Sequence, residues 1–235
     1  MNKGRLFLIP TPISFFSMRE ILLEKDIENV SCLKFFVTET PKVARSFLKD
    51  LPLKNKIQDI IIYQFDEHSD TDEIKDFLKP LLVGEDMGLI SDAGIPSVAD
   101  PGFHIVREAQ KLGVKVIPLV GPSSIILALM SSGLNGQNFT FNGYLPKEQQ
   151  KKRKRIKTLE RLALETNQTQ IFMEPPYRNQ GIYEDILDVC EDTTYLCVAF
   201  DIMGPDEKIL TKRVGEWKQD TLSLEKKPCL FLIGK

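Results

Sequence analysis

Five short apolar runs, Arg5 to Ile9, Leu33 to Thr38, Asp59 to Tyr63, Met87 to Ser91 and Val114 to Leu119, recur through the first half of the chain with helical patterns between them. A strand whose successive residues are all apolar is covered on both faces, and strand–helix alternation requires crossover connections, so these runs specify a doubly wound, parallel sheet. One intervening helix is delimited at both ends, with Pro101 in its first turn, an apolar set of Phe103, Val106, Ala109 and Leu112, and Gly113 to close it. After Leu119 the pattern changes. A helix opens at Pro122-Ser123-Ser124, a Gly/Asn-rich stretch runs from Gly133 to Gly143, and a basic segment follows. Thr169 to Met173, Tyr195 to Asp201, Lys208 to Val214 and Cys229 to Ile233 read as strands, and Ile182 to Cys190 as a helix. Consecutive strands with only a short segment around Trp217 between the last two suggest a mixed or antiparallel α+β domain. The expected fold class is α/β with two α/β domains: residues 1–118 as an N-terminal doubly wound, mostly parallel sheet, and 119–235 as a C-terminal mixed α+β sheet.

A chain of 235 residues buries enough surface for two small domains. Its four cysteines, Cys32, Cys190, Cys197 and Cys229, stand far apart without a C-x-x-C pair, which suggests neither a zinc ribbon nor a disulfide framework and fits a reducing cytoplasm. The start, Met1 to Arg5 followed by Leu6 to Ile9, superficially resembles a signal peptide, but Pro10-Thr11-Pro12 stops the apolar run and a first buried strand is the better reading. No apolar stretch reaches the roughly 20 residues that cross a bilayer, so no membrane partner is expected. Charge is concentrated: the window Lys147 to Lys157 carries +6, so a chain of net charge −2 is −8 outside it.

Ligands of open α/β sheets bind outside the carboxyl ends of the strands, where loops and helix N-termini bring unpaired N–H groups together. The segments that follow the first, second, fourth and fifth runs are Ile9-Pro10-Thr11-Pro12-Ile13, Thr38-Glu39-Thr40-Pro41, Ser91-Asp92-Ala93-Gly94-Ile95-Pro96 and Gly121-Pro122-Ser123-Ser124. Small residues and prolines let backbone approach a flat ligand in a fixed shape, so a shared pocket is implied. There is no G-x-G-x-x-G after a strand and no G-x-x-x-x-G-K-[ST], which argues against a nicotinamide Rossmann domain and a P-loop NTPase. There is no H-E-x-x-H or G-x-S-x-G, and with only His68 and His104 present, hydrolases built on histidine or zinc have little support and no metal site is expected.

The stretch Ser91-Asp92-Ala93-Gly94-Ile95-Pro96-Ser97-Val98-Ala99-Asp100-Pro101-Gly102 resembles the S-D-A-G-x-P-x-x-x-D-P-G signature of the tetrapyrrole-methylase superfamily. The ordered segments Thr11-Pro12-Ile13, Glu39-Thr40, Glu67-His68, Gly121 to Ser124, Ser132-Gly133-Leu134, Phe141 to Lys147, Glu174-Pro175-Pro176-Tyr177-Arg178 and Leu210-Thr211-Lys212 narrow the resemblance to the branch of 16S ribosomal RNA cytidine 2′-O-methyltransferase. The resemblance implies two α/β domains with S-adenosylmethionine in the cleft between them, usually in a homodimer, acting in the cytoplasm on ribosomal RNA of the small subunit. Carried onto matching positions, it puts cofactor contacts at Pro10, Asp92, Ala93, Gly94, Ile95, Ser123, Ser124, Met173 and Glu174. The acceptor hydroxyl must lose a proton, for which Glu39, His68 and Glu174 are candidates. This chain departs from the branch on the acceptor side, with Thr11-Pro12-Ile13-Ser14-Phe15 for T-P-I-G-N, Glu39-Thr40-Pro41-Lys42 for E-D-T-R, and Tyr177 for the histidine of P-H-R.

Simpler readings stand beside these. Asp92 suits a turn or cap, Ser123 and Ser124 suit the N-terminus of the next helix, Glu39 suits a helix cap, and His68 suits an exposed polar loop. In the basic segment, Ile156, Leu159, Leu162 and Ala163 keep an apolar stripe, so a packed helix with its cations outward is expected. Cations at a helix N-terminus oppose its dipole, a cost that RNA phosphates would offset, which makes Lys151, Lys152, Arg153, Lys154 and Arg155 the expected RNA contacts. Two other functions share the pattern: methyl transfer to a tetrapyrrole precursor, and a non-catalytic RNA-binding relative.

Overall fold

The computed structural model describes residues 2–14, 16–224 and 226–235. Phe15 of the Thr11-to-Phe15 departure, and Met1 at the leader-like start, lie outside them. The chain divides into two units, Met1–Ser123 and Ser124–Lys235, so the division falls between residues 123 and 124 rather than between 118 and 119.

In the first unit five strands, β1 (Arg5–Ile9), β2 (Phe35–Thr38), β3 (Ile61–Gln64), β4 (Met87–Ile90) and β5 (Lys115–Pro118), form a fully parallel sheet in the order β3-β2-β4-β1-β5. Alternation along each strand divides the core into two layers. Phe7, Ile9, Phe36 and Ile90 pack with Met18, Leu22, Val30, Ala44 and Leu48, under helices α1 (Met18–Ile21), α2 (Glu24–Ser31) and α3 (Pro41–Lys49). Leu6, Val37, Met87 and Leu89 pack on the opposite face with Ile74, Leu78, Leu81, Ile105 and Ala109, under α4 (Ile74–Phe77), α5 (Lys79–Leu82) and α6 (Phe103–Lys111). Helices on both faces are why the strands read as continuous apolar runs. Central β4 carries Gly88 because a Cβ there would lie 2.6 Å from Ile9 Cδ1 and 2.7 Å from Phe36 Cδ1, an overpacking that typically costs about 1–3 kcal/mol. In α6 the buried residues are Ile105 and Ala109, while Phe103 is 42% exposed. Of the expected apolar set, Val106, Ala109 and Leu112 pack in this layer, Phe103 does not and Ile105 is buried instead, and Gly113 closes the helix at φ +63°.

The second unit contains β6 (Phe139–Tyr144), β7 (Thr169–Glu174), β8 (Tyr195–Phe200), β9 (Lys208–Arg213) and β10 (Cys229–Gly234) in the order β6-β7-β10-β8-β9. Only β6 and β7 run parallel; the other pairs are antiparallel. Edge strand β6 overlaps the Gly/Asn-rich stretch from Gly133 to Gly143, where the sequence reading places no strand. Its register shifts between Phe141 and Tyr144, where Gly143 takes φ +64°, so the glycine that disguised the strand makes its bulge. Helices α8 (Gln149–Thr166), α9 (Asn179–Val189) and α10 (Val214–Trp217) cover one core layer, in which Ile156, Leu159, Ile182 and Ile186 meet Phe172, Val198, Phe231 and Trp217. Helix α7 (Ser124–Ser132) contacts β8, β9 and β10. Among the described residues no helix is long and apolar enough to cross a membrane.

Candidate active site

Parallel strands deliver their carboxyl ends to one edge of the first sheet, and four loops are tied together there. The β1 and β4 loops pair through backbone: Thr11 N–H donates to Gly94 O at 2.9 Å and Gly94 N–H donates to Thr11 O at 3.1 Å. The buried Thr11 hydroxyl donates to Ser91 O at 3.2 Å, and Ser91 Oγ donates to Gly94 O at 2.9 Å. The β2 loop joins through Thr40, whose N–H and hydroxyl donate to the two oxygens of Asp92 at 3.2 and 2.6 Å. The β5 loop closes the set. A Cβ on Gly121 would stand 2.2 Å from Pro10 Cβ, and one on Gly94 would stand 3.3 Å from Pro122 O, so both glycines are needed for close backbone approach. Pro10, Asp92, Gly94 and Ile95 are thus brought together, with Ala93 exposed beside them.

The carboxylate of Asp92 is a clasp between loops rather than a free anion. Farther along the signature, Ser97 and Ala99 have φ of +68° and +63°, left-handed values that side-chain-bearing residues rarely adopt. Asp100 holds that turn, accepting Ser97 N–H at 2.9 Å and Gly102 N–H at 2.8 Å. A Cβ at Gly102 would lie 2.8 Å from Asp100 Oδ1, so the aspartate and the glycine of the signature require each other.

Among the three proton-acceptor candidates, Glu39 alone has an unengaged, half-buried carboxylate. It follows β2 directly, but Thr40 rather than Glu39 is the N-cap of α3, and Glu39 has no hydrogen-bond or ion-pair partner among the described residues. Burial, then the negative charge of Asp100, Asp92, Asp66 and Glu67, pushes its carboxyl up to about 7. Thr38, Glu39, Asp100 and Gly102 line a cavity of about 10 Å³, room for about one water molecule. The Thr38 hydroxyl, in a residue 1% exposed, has no hydrogen-bond partner among the described residues. His68 is placed differently: its side chain is 86% exposed, 3.4 Å from Glu67, in a turn built on Asp66.

Glu174, at the end of β7 in the second unit, is buried and engaged. Its Oε1 accepts Leu145 N–H at 2.9 Å and its Oε2 lies 3.0 Å from Arg178 Nη1. Burial raises its pKa against the opposing pull of the Leu145 N–H, Arg178 and Lys152. Met173 precedes it on β7, partly buried. Ser123 ends the first unit and Ser124 opens α7 in the second.

The basic helix does not present all its cations outward. The buried residues of α8 are Lys152, Ile156, Leu159, Glu160 and Ala163, a single helical stripe with two charges set into it. Lys152 Nζ lies 2.5 Å from Asp185 Oδ2, with side chains 10% and 5% exposed. Asp185 also accepts from Gln149 at 2.7 Å and Arg153 at 3.2 Å, and Arg153 continues to Asp188. Arg155 donates to Asn142 Oδ1 at 2.9 Å. Burial alone pushes Glu160 up, but hydrogen bonds from Lys157, Thr194 and the Glu191 N–H outweigh it and hold it below the usual carboxylate range. These contacts bind α8 to α9, through Glu160 to the turn after α9, and through Arg155 to β6. The exposed cations at the N-terminal end are Lys147, Lys151 and Lys154. Lys151 pairs with Glu148 at 2.7 Å, whereas Lys147 and Lys154 have no acidic partner among the described residues.

No family model matches the chain. Among curated proteins it is 30% identical over 249 residues to Ribosomal RNA small subunit methyltransferase I of Pseudomonas aeruginosa strain PAO1, spanning 100% of this chain and 80% of that protein. To the protein of the same name from Escherichia coli O157:H7 it is 28% identical over 215 residues, spanning 92% and 71%. Among solved structures, the methyltransferase CobJ superposes with a TM-score of 0.63 at 14% identity, covering 99% of this chain and 94% of CobJ. The cobalt precorrin-4 methyltransferase CbiF gives 0.62 at 12%, covering 98% and 94%. The fold is that of the tetrapyrrole methyltransferases, and the protein is an enzyme of the methyltransferase class. Within that class, the chain belongs to the family of ribosomal RNA small subunit methyltransferase I.

Proposed function

We propose that the protein transfers the methyl group of S-adenosylmethionine to the ribose 2′-hydroxyl of a cytidine in 16S ribosomal RNA. The observation that carries the reading is the clasped loop cluster at the carboxyl edge of the first sheet, in a chain whose relatives are named for small-subunit ribosomal RNA. Its chemistry suits the donor: the exposed turn residue Ala93 is open to a flat ligand, and the negative field of Asp92 and Asp100 suits a cationic sulfonium. Pro10, Asp92 to Ile95, Ser123, Ser124, Met173 and Glu174 would hold the cofactor. When bound, it supplies an electrophilic methyl carbon. The protein's task is then to hold the acceptor oxygen in line with that carbon and its sulfur, a positioning effect that supplies up to roughly 7–11 kcal/mol of a barrier. RNA phosphates would meet Lys147, Lys151 and Lys154, with Arg155 beside them, while Lys152 and Arg153 hold the helix. The reading includes a homodimer acting in the cytoplasm.

The test is methyl transfer from labelled S-adenosylmethionine to small ribosomal subunits lacking native modifications, followed by nucleoside mapping. The expected product is 2′-O-methylcytidine in 16S RNA. Label in a base, or transfer only to a porphyrinogen offered in parallel, would overturn the assignment.

A further inference from the structure

Resting on that methyl-transfer reading, we propose that Glu39 is the catalytic proton acceptor, taking the proton of the acceptor hydroxyl as its oxygen attacks the methyl carbon. Position argues for it first. Glu39 directly follows β2, and its neighbour Thr40 holds both oxygens of Asp92, so the backbone that carries Glu39 is held beside the Ser91-to-Gly94 turn by a short, doubly bonded clasp. Availability argues for it second. Asp92 is spent on Thr40 and Asp100 on Ser97 and Gly102, while Glu39 is the carboxylate of this cluster with no bond to satisfy it. The third argument is independent of the acids. Thr38, 1% exposed, lines the small cavity shared with Glu39 and Asp100, and its hydroxyl has no partner among the described residues. A buried polar atom without a partner is rare unless water or ligand completes it, so this rim is built to receive one more polar group.

The step balances. The acceptor O–H bond breaks as its proton passes to a Glu39 oxygen; the O–CH3 bond forms as the S–CH3 bond breaks, and the sulfur keeps that electron pair and becomes a neutral thioether. The groups facing Glu39 are Asp100 and Asp92 from the loop after β4 and Asp66 and Glu67 from the loop after β3. Together with burial they hold its carboxyl near 7, close to the operating pH at which a general base is most effective.

The experiment compares the wild type with Glu39→Gln and Glu39→Asp, using unmodified small ribosomal subunits and S-adenosylmethionine from pH 5.5 to 9, with donor affinity read by calorimetry. For Glu39→Gln, kcat is expected to fall by about 10²-fold or more with donor affinity within about threefold. The wild-type rise of kcat/KM through about pH 7 is expected to vanish in Glu39→Gln and to persist in Glu39→Asp at reduced rate. A Glu39→Gln enzyme that keeps its rate, or keeps the inflection, overturns the proposal alone. A wild-type protein that binds the donor yet methylates no ribosomal RNA overturns the activity and this assignment with it.

Discussion

Replacing Lys152 with glutamine separates two readings of the basic helix. Lys152 and Asp185 are 2.5 Å apart with side chains 10% and 5% exposed, so removing the lysine leaves an anion in a site water barely reaches. Breaking a buried pair from one side costs about 3–5 kcal/mol. Here Asp185 keeps Gln149 at 2.7 Å and Arg153 at 3.2 Å, which places the expected loss for Lys152→Gln near the bottom of that range or below, at about 2–3 kcal/mol. Lys154→Gln, on the exposed side of the same helix, is expected within about 0.5 kcal/mol. Adding Asp185→Asn to Lys152→Gln should recover at least about 1 kcal/mol, because neighbours in one network do not add. The probe is built in. Trp217, the single tryptophan, is 1% exposed in the core of the same unit and donates to Leu196 O at 2.9 Å, so its emission in a urea titration reports that unit's unfolding. Equal midpoints for Lys152→Gln and Lys154→Gln would refute the account of α8 as a helix pinned by its charges.

Three further outcomes follow from the geometry. The fold raises the Glu39 carboxyl from 4.5 to about 7, so it opposes ionisation and loses stability as pH climbs through that window. Glu39→Gln should therefore match the wild type at pH 4.5 and exceed it at pH 8, by at most about 3 kcal/mol at about 1.4 kcal/mol per pH unit and by less with solvent screening; calorimetric unfolding at the two pH values decides, and a constant difference counts against the burial argument. Gly121→Ala puts a Cβ 2.2 Å from the Pro10 ring, which cannot swing aside, so it should cost about 1–3 kcal/mol and weaken binding of the donor or its demethylated product, with unchanged titration heats as the contrary result. Replacing Lys147, Lys151 and Lys154 together with glutamine should lower RNA affinity and flatten its log–log salt dependence by roughly 0.7–0.9 for each phosphate no longer neutralised, leaving donor affinity intact; an unaltered salt slope would exclude these lysines from the RNA interface.

What the residues disclosed in advance was what periodicity controls. The strands of the parallel sheet lie at or within about two residues of the expected runs, because burial on both faces leaves continuous apolar stretches. Strand β6 was hidden because its turn glycine, Gly143, and the polar residues around it are the composition of a loop, and only pairing with β7 makes them a strand. In α8, charge counting concealed what spacing contained. Lys152 stands four residues before Ile156, and Glu160 beside Leu159 and three before Ala163, all on one face, so a helical projection marks both as buried. Their partners Asp185 and Thr194 come from distant sequence, and no local pattern identifies those. At the site, the signature located the turn but not its construction: the roles of Thr40 and Asp100 depend on bonds across 52 residues and within a left-handed turn.

The same contrast accounts for an arrangement that net charge obscures. A chain of −2 overall has two classes of charge, those consumed by the fold and those left over. In α8 Lys152 and Arg153 are consumed by Asp185 and Asp188 of α9 and Lys157 by Glu160 of the same helix, while Lys147 and Lys154 have no acidic partner among the described residues and Lys151 has only the exposed Glu148. At the rim of the first sheet Asp92 and Asp100 are consumed in holding loops, and the remainder is Glu39. Coulomb attraction is weak at exposed sites and stronger where water is excluded, so the consumed charges sit where burial makes their pairing count. The unconsumed ones mark where the molecule expects a partner of opposite sign: a polyanion for the lysines, and a cation or a departing proton for the glutamate.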